Sequence, residues 1–369
     1  MTIPGVDAAV GAVRGGLLLG TDGAFHPNGL REIPDRARDD DDVLDATGLW
    51  ITPGFVDAHS HLSWSDFDAA DRPSDEGERA AVTARNQLAT LRAGVTTVRD
   101  AGGYDPALHG RLAGAPGPAL SLSIDIIGPA DARGERHLRD RVAALADEGA
   151  DWIKIAATGG VGAGTRQQEP VFTRGELSAL LDAATRAGLP VMAHAWGGPA
   201  IDQALDLGVR SIEHAVFLTA AQAQRAAASR VFVVPTVWIY RDVLELAQSG
   251  RLPSSLAATA RRAVEAHPAA IQHCLASGVP LAMGTDAGLA SQHGRNLHEV
   301  AAMIEAGVPA STALVAATTG GRRLLGEDVA GRSSDLVFFR RDPSEPEALR
   351  DPTSVVAVVQ AGRVVSASG

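Results

Sequence analysis

Cysteine is almost absent: Cys274 is the one cysteine in 369 residues. An internal disulfide is therefore excluded, and the composition fits a reducing compartment, with the cytoplasm as the expected location. Cys274 lies in the helical-looking stretch 271–275 and reads as a structural thiol, not a nucleophile. Long apolar runs are also missing. None reaches the ~18 residues of a membrane span, so no membrane partner is expected. Residues 1–5 show no basic segment followed by an apolar core, and no secretory signal is expected. Positive charge is scarce. Lys and Arg number 33 against 44 Asp and Glu, a net charge of −11 with histidine neutral. That balance argues against nucleic acid, whose binding needs cations to neutralise phosphates. It leaves a small-molecule substrate open, because a local field can differ in sign from the total. The acid run at residues 39–42 reads as a solvated loop in preference to a calcium site. There is no internal repeat and no low-complexity linker.

What is present is a change of texture along the chain. Both ends are rich in short β-type runs: 15–20 and 43–53 at one end, 334–339, 354–359 and the hairpin-like return 360–365 at the other. The middle alternates helical patterns with short apolar runs bounded by glycine or proline. These runs are 51–61, 95–99, 120–127, 152–156, 190–194, 211–214, 231–235 and 280–286. Strands alternating with helices imply parallel pairing. Eight units over roughly 270 residues match a (β/α)8 barrel, for which ~250 is typical. An open doubly wound sheet would carry a glycine-rich phosphate turn after its first strand; here that position is rich in histidine. The expected fold is thus α/β: a (β/α)8 TIM-type barrel over 55–326, with a small β-sandwich domain built from 1–54 and 327–369.

In such a barrel the chemistry sits at the C-terminal ends of the strands. His59 and His61 end the first run at i and i+2, which puts both on one face of a strand. Lys154 lies inside the fourth, His194 ends the fifth, His214 the sixth and Asp286 the eighth. A lone strand-end histidine is more often structural than a ligand, and an isolated aspartate can simply cap a loop. Lys154 is harder to dismiss, since burying an ammonium costs several kcal/mol unless it is paired or loses its charge. Carbamylation by CO2 is one escape, giving a carboxylate able to bridge two metal ions. The coincidence of six such residues at one mouth outweighs each separate bland reading.

Taken together, Asp57-Ala58-His59-Ser60-His61, Asp151-Trp152-Ile153-Lys154-Ile155, Thr158-Gly159-Gly160, Ala193-His194-Ala195, Ser211-Ile212-Glu213-His214 and Gly284-Thr285-Asp286-Ala287-Gly288 resemble the amidohydrolase superfamily, in the group with a binuclear centre bridged by a carboxylated lysine. The resemblance covers nearly the whole chain. Its nearest flavour is the prolidase-like branch of Xaa-Pro dipeptidases, lysine and arginine carboxypeptidases and ochratoxinase-type amidases. It implies two divalent metals, zinc first, with His59, His61 and Asp286 on the more buried ion, His194 and His214 on the other, and carbamylated Lys154 between them. It further implies a bridging hydroxide as nucleophile, Asp286 as proton acceptor and donor, and Tyr240, in the strand-seven motif 235–240, as the partner of the carbonyl oxygen. His293, in the loop after strand eight, is implied to bind substrate.

Two departures bear on the substrate. The loop after the third strand, 128–134, is short and lacks the branch's histidine, so a substrate carboxylate has to rely on Arg133, Arg166, Arg241 or Arg295. Trp196 stands where the branch often has a further histidine, and with Trp64 it offers an aromatic wall. The expected reaction is hydrolysis of an amide C–N bond in a small molecule, such as an N-acyl amino acid, a dipeptide or a cyclic amide, with ring-bearing amides favoured. An esterase, lactonase or organophosphate hydrolase is the alternative on the same centre. A mononuclear deaminase is disfavoured by Lys154, and a non-catalytic scaffold by the complete ligand set. Homo-oligomerisation is left open.

Overall fold

The computed structural model describes residues 5–33, 42–68, 71–162, 166–326 and 334–367. Asp39, Asp40 and Asp41 of the acid run, and the expected boundary at 327, lie outside them. The chain opens with β1 (Ala12–Arg14), β2 (Leu17–Leu19), β3 (Phe25–Pro27), β4 (Leu30–Glu32), β5 (Val43–Asp45) and β6 (Trp50–Pro53). The middle follows with β7 (Phe55–Ser60), β8 (Val95–Asp100), β9 (Ala119–Leu122), β10 (Ile126–Ile127), β11 (Ile153–Ala156), β12 (Val191–Ala195), β13 (Ser211–His214) and β14 (Phe232–Val234). It ends with β15 (Leu336–Phe339), β16 (Val355–Gln360) and β17 (Arg363–Ala367).

The two termini share one sheet. Its order is β17-β16-β15-β6-β2-β3, with β15 antiparallel to β6. A second sheet, β4-β1-β5, belongs to the same end of the molecule. Val13, Leu44, Ile51, Phe338, Val356 and Val359 pack together in a core fed by both ends of the chain. The middle strands pair in parallel, as β7-β8-β9 and β10-β11-β12-β13-β14. All six residues of β7 and of β8 are buried, as expected for parallel strands with both faces covered. Some helices begin where the sequence supplies a cap: the Asp75 side chain accepts from Glu78 N, and Thr173 forms a capping box with Glu176.

Several expected elements differ in detail. The run 51–61 is two strands that serve different sheets, β6 and β7, because the Pro53-Gly54 step turns the chain from one to the other. The run 120–127 is broken at Ser123–Asp125, where Ile124 takes a left-handed φ of 64°. The eighth run is not a regular strand. It still lies between two of them: Val233 N donates to Pro280 O (3.0 Å) and Ala282 N to Val233 O (3.1 Å), while Ala58 N donates to Met283 O (2.8 Å) and His61 N to Ala287 O (2.9 Å). Residues 237–240, grouped with the seventh strand, instead open the helix Val237–Gln248. A short β-branched and aromatic run fits either state, and here the next turn of apolar spacing, Val243 and Leu246, belongs to a helix face.

Candidate metal centre

β7 brings His59 and His61 to one face, and the segment after residue 280 returns Asp286 to them. The Asp286 amide donates to His59 O at 2.7 Å. Asp286 Oδ1 then lies 3.2 Å from His59 Nε2 and 3.3 Å from His61 Nε2. These three residues each offer a ligand atom within 4.8 Å of the others. Lys154, fully buried on β11, places Nζ 3.1 Å from His59 Nε2. The His214 ring centroid is 5.0 Å from that of His59 and 4.4 Å from that of His194. Three non-glycine residues here adopt left-handed backbone: His214 (φ 73°), Thr236 (φ 50°) and Asp286 (φ 55°). Such conformations cost energy and persist where surrounding contacts impose them.

The ring nitrogens are oriented from behind. His59 Nδ1 is 2.8 Å from Glu213 Oε2, His61 Nδ1 is 3.0 Å from Gly102 O, and His214 Nδ1 is 2.8 Å from Thr236 Oγ1. Each contact leaves Nε2 as the nitrogen available for a ligand, the outer support that metal-binding histidines need. His214 Nε2 is buried and has no hydrogen-bond partner among the described residues. His194 differs: its Nε2 lies 3.3 Å from Gly159 O. Burial holds His61 and His194 at a pKa of about 4 and His214 well below its usual value, so all are neutral imidazoles near pH 7. Neutral imidazole is the ligating form. Burial also brings Lys154 down to about 8. Burial opposes the charge on Asp286, but the neighbouring histidines hold it well below the usual carboxylate range. Neutral imidazoles, an ionised carboxylate and an orphaned nitrogen make a donor set that fits divalent metal.

Behind the ligands lies a buried charged layer that the sequence reading did not assign. Arg99 from β8 donates to both Glu213 oxygens (3.0 and 3.1 Å), to Ser211 Oγ (2.9 Å) and to Ala58 O (2.6 Å). Burial pushes the Glu213 carboxyl up, yet Arg99 and His59 outweigh it and hold the pKa at about 2. Asp57 accepts from His59 N (3.2 Å), Thr285 N (3.0 Å), Thr285 Oγ1 (2.7 Å) and Asn296 Nδ2 (2.8 Å). The signal for this layer was in the chain. Arginine and glutamate inside apolar strands have to find each other, because a lone buried charge is too costly.

His59, His61, Lys154, His194 and Asp286 form the floor of a cavity of about 710 Å3. Tyr240, on the first turn of its helix, and Trp196 line it, their rings edge to face at 5.0 Å. Burial drives the Tyr240 phenol well above its usual pKa, so it keeps its proton. Trp64 also lines the cavity and stacks on His61 at 3.7 Å. Two expected substrate contacts are elsewhere. Arg166 is exposed and does not line the cavity, and His293 is buried beside His61 outside the wall. Arg241 is paired with Glu305 (2.6 Å) and Arg295 with Asp242 (3.3 Å). Arg133 is turned to Ala130 O at 2.5 Å. The arginine that does line the cavity is Arg251, together with Asp66, Asp68 and Asp71.

The amidohydrolase family model matches residues 50–365. The chain belongs to the amidohydrolase family, and it is an enzyme that hydrolyses carbon–nitrogen bonds. It stands with the prolidase-like branch. A prolidase complexed with N-methylphosphonate-L-proline superposes with a TM-score of 0.85 at 25% identity, over 97% of this chain and 99% of that one. Aspergillus niger ochratoxinase is 24% identical over 377 residues, 86% of this chain and 76% of its own. An uncharacterized protein of Mycobacterium tuberculosis is 30% identical over 334 residues, 86% of this chain and 85% of its own. Among the described residues, no helix is long and apolar enough to cross a membrane.

Proposed function

We propose that this enzyme hydrolyses an amide bond in a small, ring-bearing or otherwise apolar molecule at a binuclear metal centre. The observation that carries this reading is the convergence of His59, His61, Lys154, His194, His214 and Asp286 beneath one cavity, with Tyr240 on its wall. His59, His61 and Asp286 would hold one ion and His194 and His214 the other, with Lys154, as its carbamate, the ligand they would share. Zinc suits the nitrogen and oxygen donors. The architecture behind it is a (β/α)8 barrel over 55–326 with a β-sandwich from 1–54 and 327–369. Backbone hydrogen bonds from 280–287 to both β14 and β7 support closure of that barrel, and the single cysteine supports a cytoplasmic setting.

When bound, the ions lower the pKa of water enough to supply hydroxide near neutral pH and polarise the amide carbonyl. The protein's own groups do the rest. The Lys154 amine, at about 8, is partly neutral near pH 7; neutral amine adds to CO2, forming an N–C bond and releasing one proton. Asp286, ionised in place, takes the proton of the attacking water and returns it to the departing amine. Tyr240, still protonated, donates a hydrogen bond to the carbonyl oxygen as charge grows there. Trp196, Trp64 and Ile239 receive the apolar part of the substrate and keep water away.

The test is a screen of metal-loaded enzyme against N-acyl amino acids, dipeptides and cyclic amides, beside matched lactones and phosphotriesters, with metal counted by mass spectrometry. Two ions per chain and turnover confined to amides are expected. Lys154→Ala should retain at most one ion and lose more than about a hundredfold in kcat/KM. Full activity in that variant, or preference for lactones, would reject the reading.

A further inference from the structure

The helix bearing Tyr240 is not capped by its own N-cap residue. The first N–H groups of any helix lack intrahelical partners, and a threonine at the N-cap ordinarily takes one of them. Thr236 makes no such bond. Its hydroxyl is engaged with His214 Nδ1 at 2.8 Å, and its backbone is left-handed. The orphaned N–H groups go to a different element. Val237 N donates to Glu299 Oε1 at 2.8 Å and Trp238 N to Glu299 Oε2 at 2.7 Å. Glu299 is fully buried on the first turn of the helix Leu297–Glu305. A carboxyl group whose two oxygens face two N–H groups at a helix N-terminus is held by a direct hydrogen bond to each.

The same helix is tied to the metal-binding cluster at its other contact. Asn296, the residue before its first turn, donates to Asp57, and Asp57 accepts from the amides of His59 and Thr285. A buried chain of hydrogen bonds thus runs from the segments that carry His59 and Asp286, through Asp57 and Asn296, to Glu299 and the first turn that carries Tyr240. We propose that Glu299 is a positioning residue that sets the Tyr240 hydroxyl against the metal-binding cluster. The inference rests on Tyr240 acting at the carbonyl oxygen. Glu299→Gln keeps the volume and one acceptor but turns an NH2 group toward the second N–H. Two donors then face each other, and the start of the helix has to move.

The chain contains two tyrosines, Tyr104 and Tyr240, so the 19F spectrum of 3-fluorotyrosine-labelled protein has two signals, assigned with Tyr240→Phe. Glu299→Gln should shift or broaden the Tyr240 signal and leave that of Tyr104, which is bound to Gln87, in place. On an amide found in the screen, kcat should fall about tenfold with KM and metal content unchanged. In a Tyr240→Phe background, Glu299→Gln should add little. Glu299→Asp, which keeps both acceptor oxygens but is shorter, should fall between, and decides the matter if the Gln variant does not fold. An unmoved Tyr240 signal in a folded variant, or an equal loss in the Tyr240→Phe background, would overturn the proposal. The spectrum reads Tyr240 whether or not amides are turned over, so it separates this inference from the assignment of the reaction.

Discussion

His267 shows what burial does to a single residue in this protein. Its Nε2 meets His214 O at 2.9 Å, its ring packs 5.4 Å from that of Tyr240, and its pKa is pushed by burial to about 4. The unfolded chain protonates this histidine near pH 6.5, whereas the folded chain resists until about 4. Between those values the unfolded state binds the extra proton, so stability conferred by neutral His267 is present above 6.5 and lost as pH falls. The loss is up to about 1.4 kcal/mol per pH unit. Asp100, raised by burial to about 7, and Glu299, raised to about 8, act in the opposite sense. The measurement is therefore differential. Urea unfolding of the metal-free protein and of His267→Gln, compared from pH 4 to 6.5, should show a shallower acid loss in the variant. Identical slopes would mean His267 titrates alike in both states.

At the scale of elements, the segment 280–287 carries the centre despite forming no regular strand. It reaches β14 on one side and β7 on the other, and its fit depends on Gly284. A Cβ there would lie 2.7 Å from His59 Cβ and 2.5 Å from Val234 Cγ1. Neither neighbour can readily retreat, since His59 is held by Glu213 and Val234, the last residue of β14, is fully buried. Gly284→Ala should cost about 1–3 kcal/mol as an overpacked core site and displace Asp286 from His59 and His61. Metal binding and unfolding measured on one preparation would show both losses; retention of full metal affinity would contradict the packing argument. The helix Val237–Gln248 carries a related lesson. Its opening residues are those of a strand by composition, and the trans cap from Glu299 belongs to an element 60 residues on in the sequence, beyond the reach of local pattern.

Across the whole molecule the net charge is −11, and the cavity shares that excess: Asp66, Asp68 and Asp71 line it together with Arg251. The inner wall is apolar and aromatic, and Arg241 and Arg295 are spent on Glu305 and Asp242. A substrate carboxylate therefore meets three carboxylates along the wall. An uncharged amide with an apolar ring should exceed its carboxylate-bearing counterpart by about tenfold in kcat/KM, with the gap narrowing as salt is added. Equal or reversed preference across matched pairs would place more weight on Arg251. The alternation of strands and helices, the pairing of the two β-rich ends and the six candidate residues of the centre were legible in the chain alone, because strand periodicity and the cost of a buried lysine are local facts. Only the tertiary structure decided that Arg99 and Glu213 meet behind His59, that Arg166 and His293 stay off the cavity wall, and that Thr236 serves His214 while Glu299 caps the Tyr240 helix. Those choices depend on which buried charges and N–H groups lie within reach across strands and helices far apart in the chain.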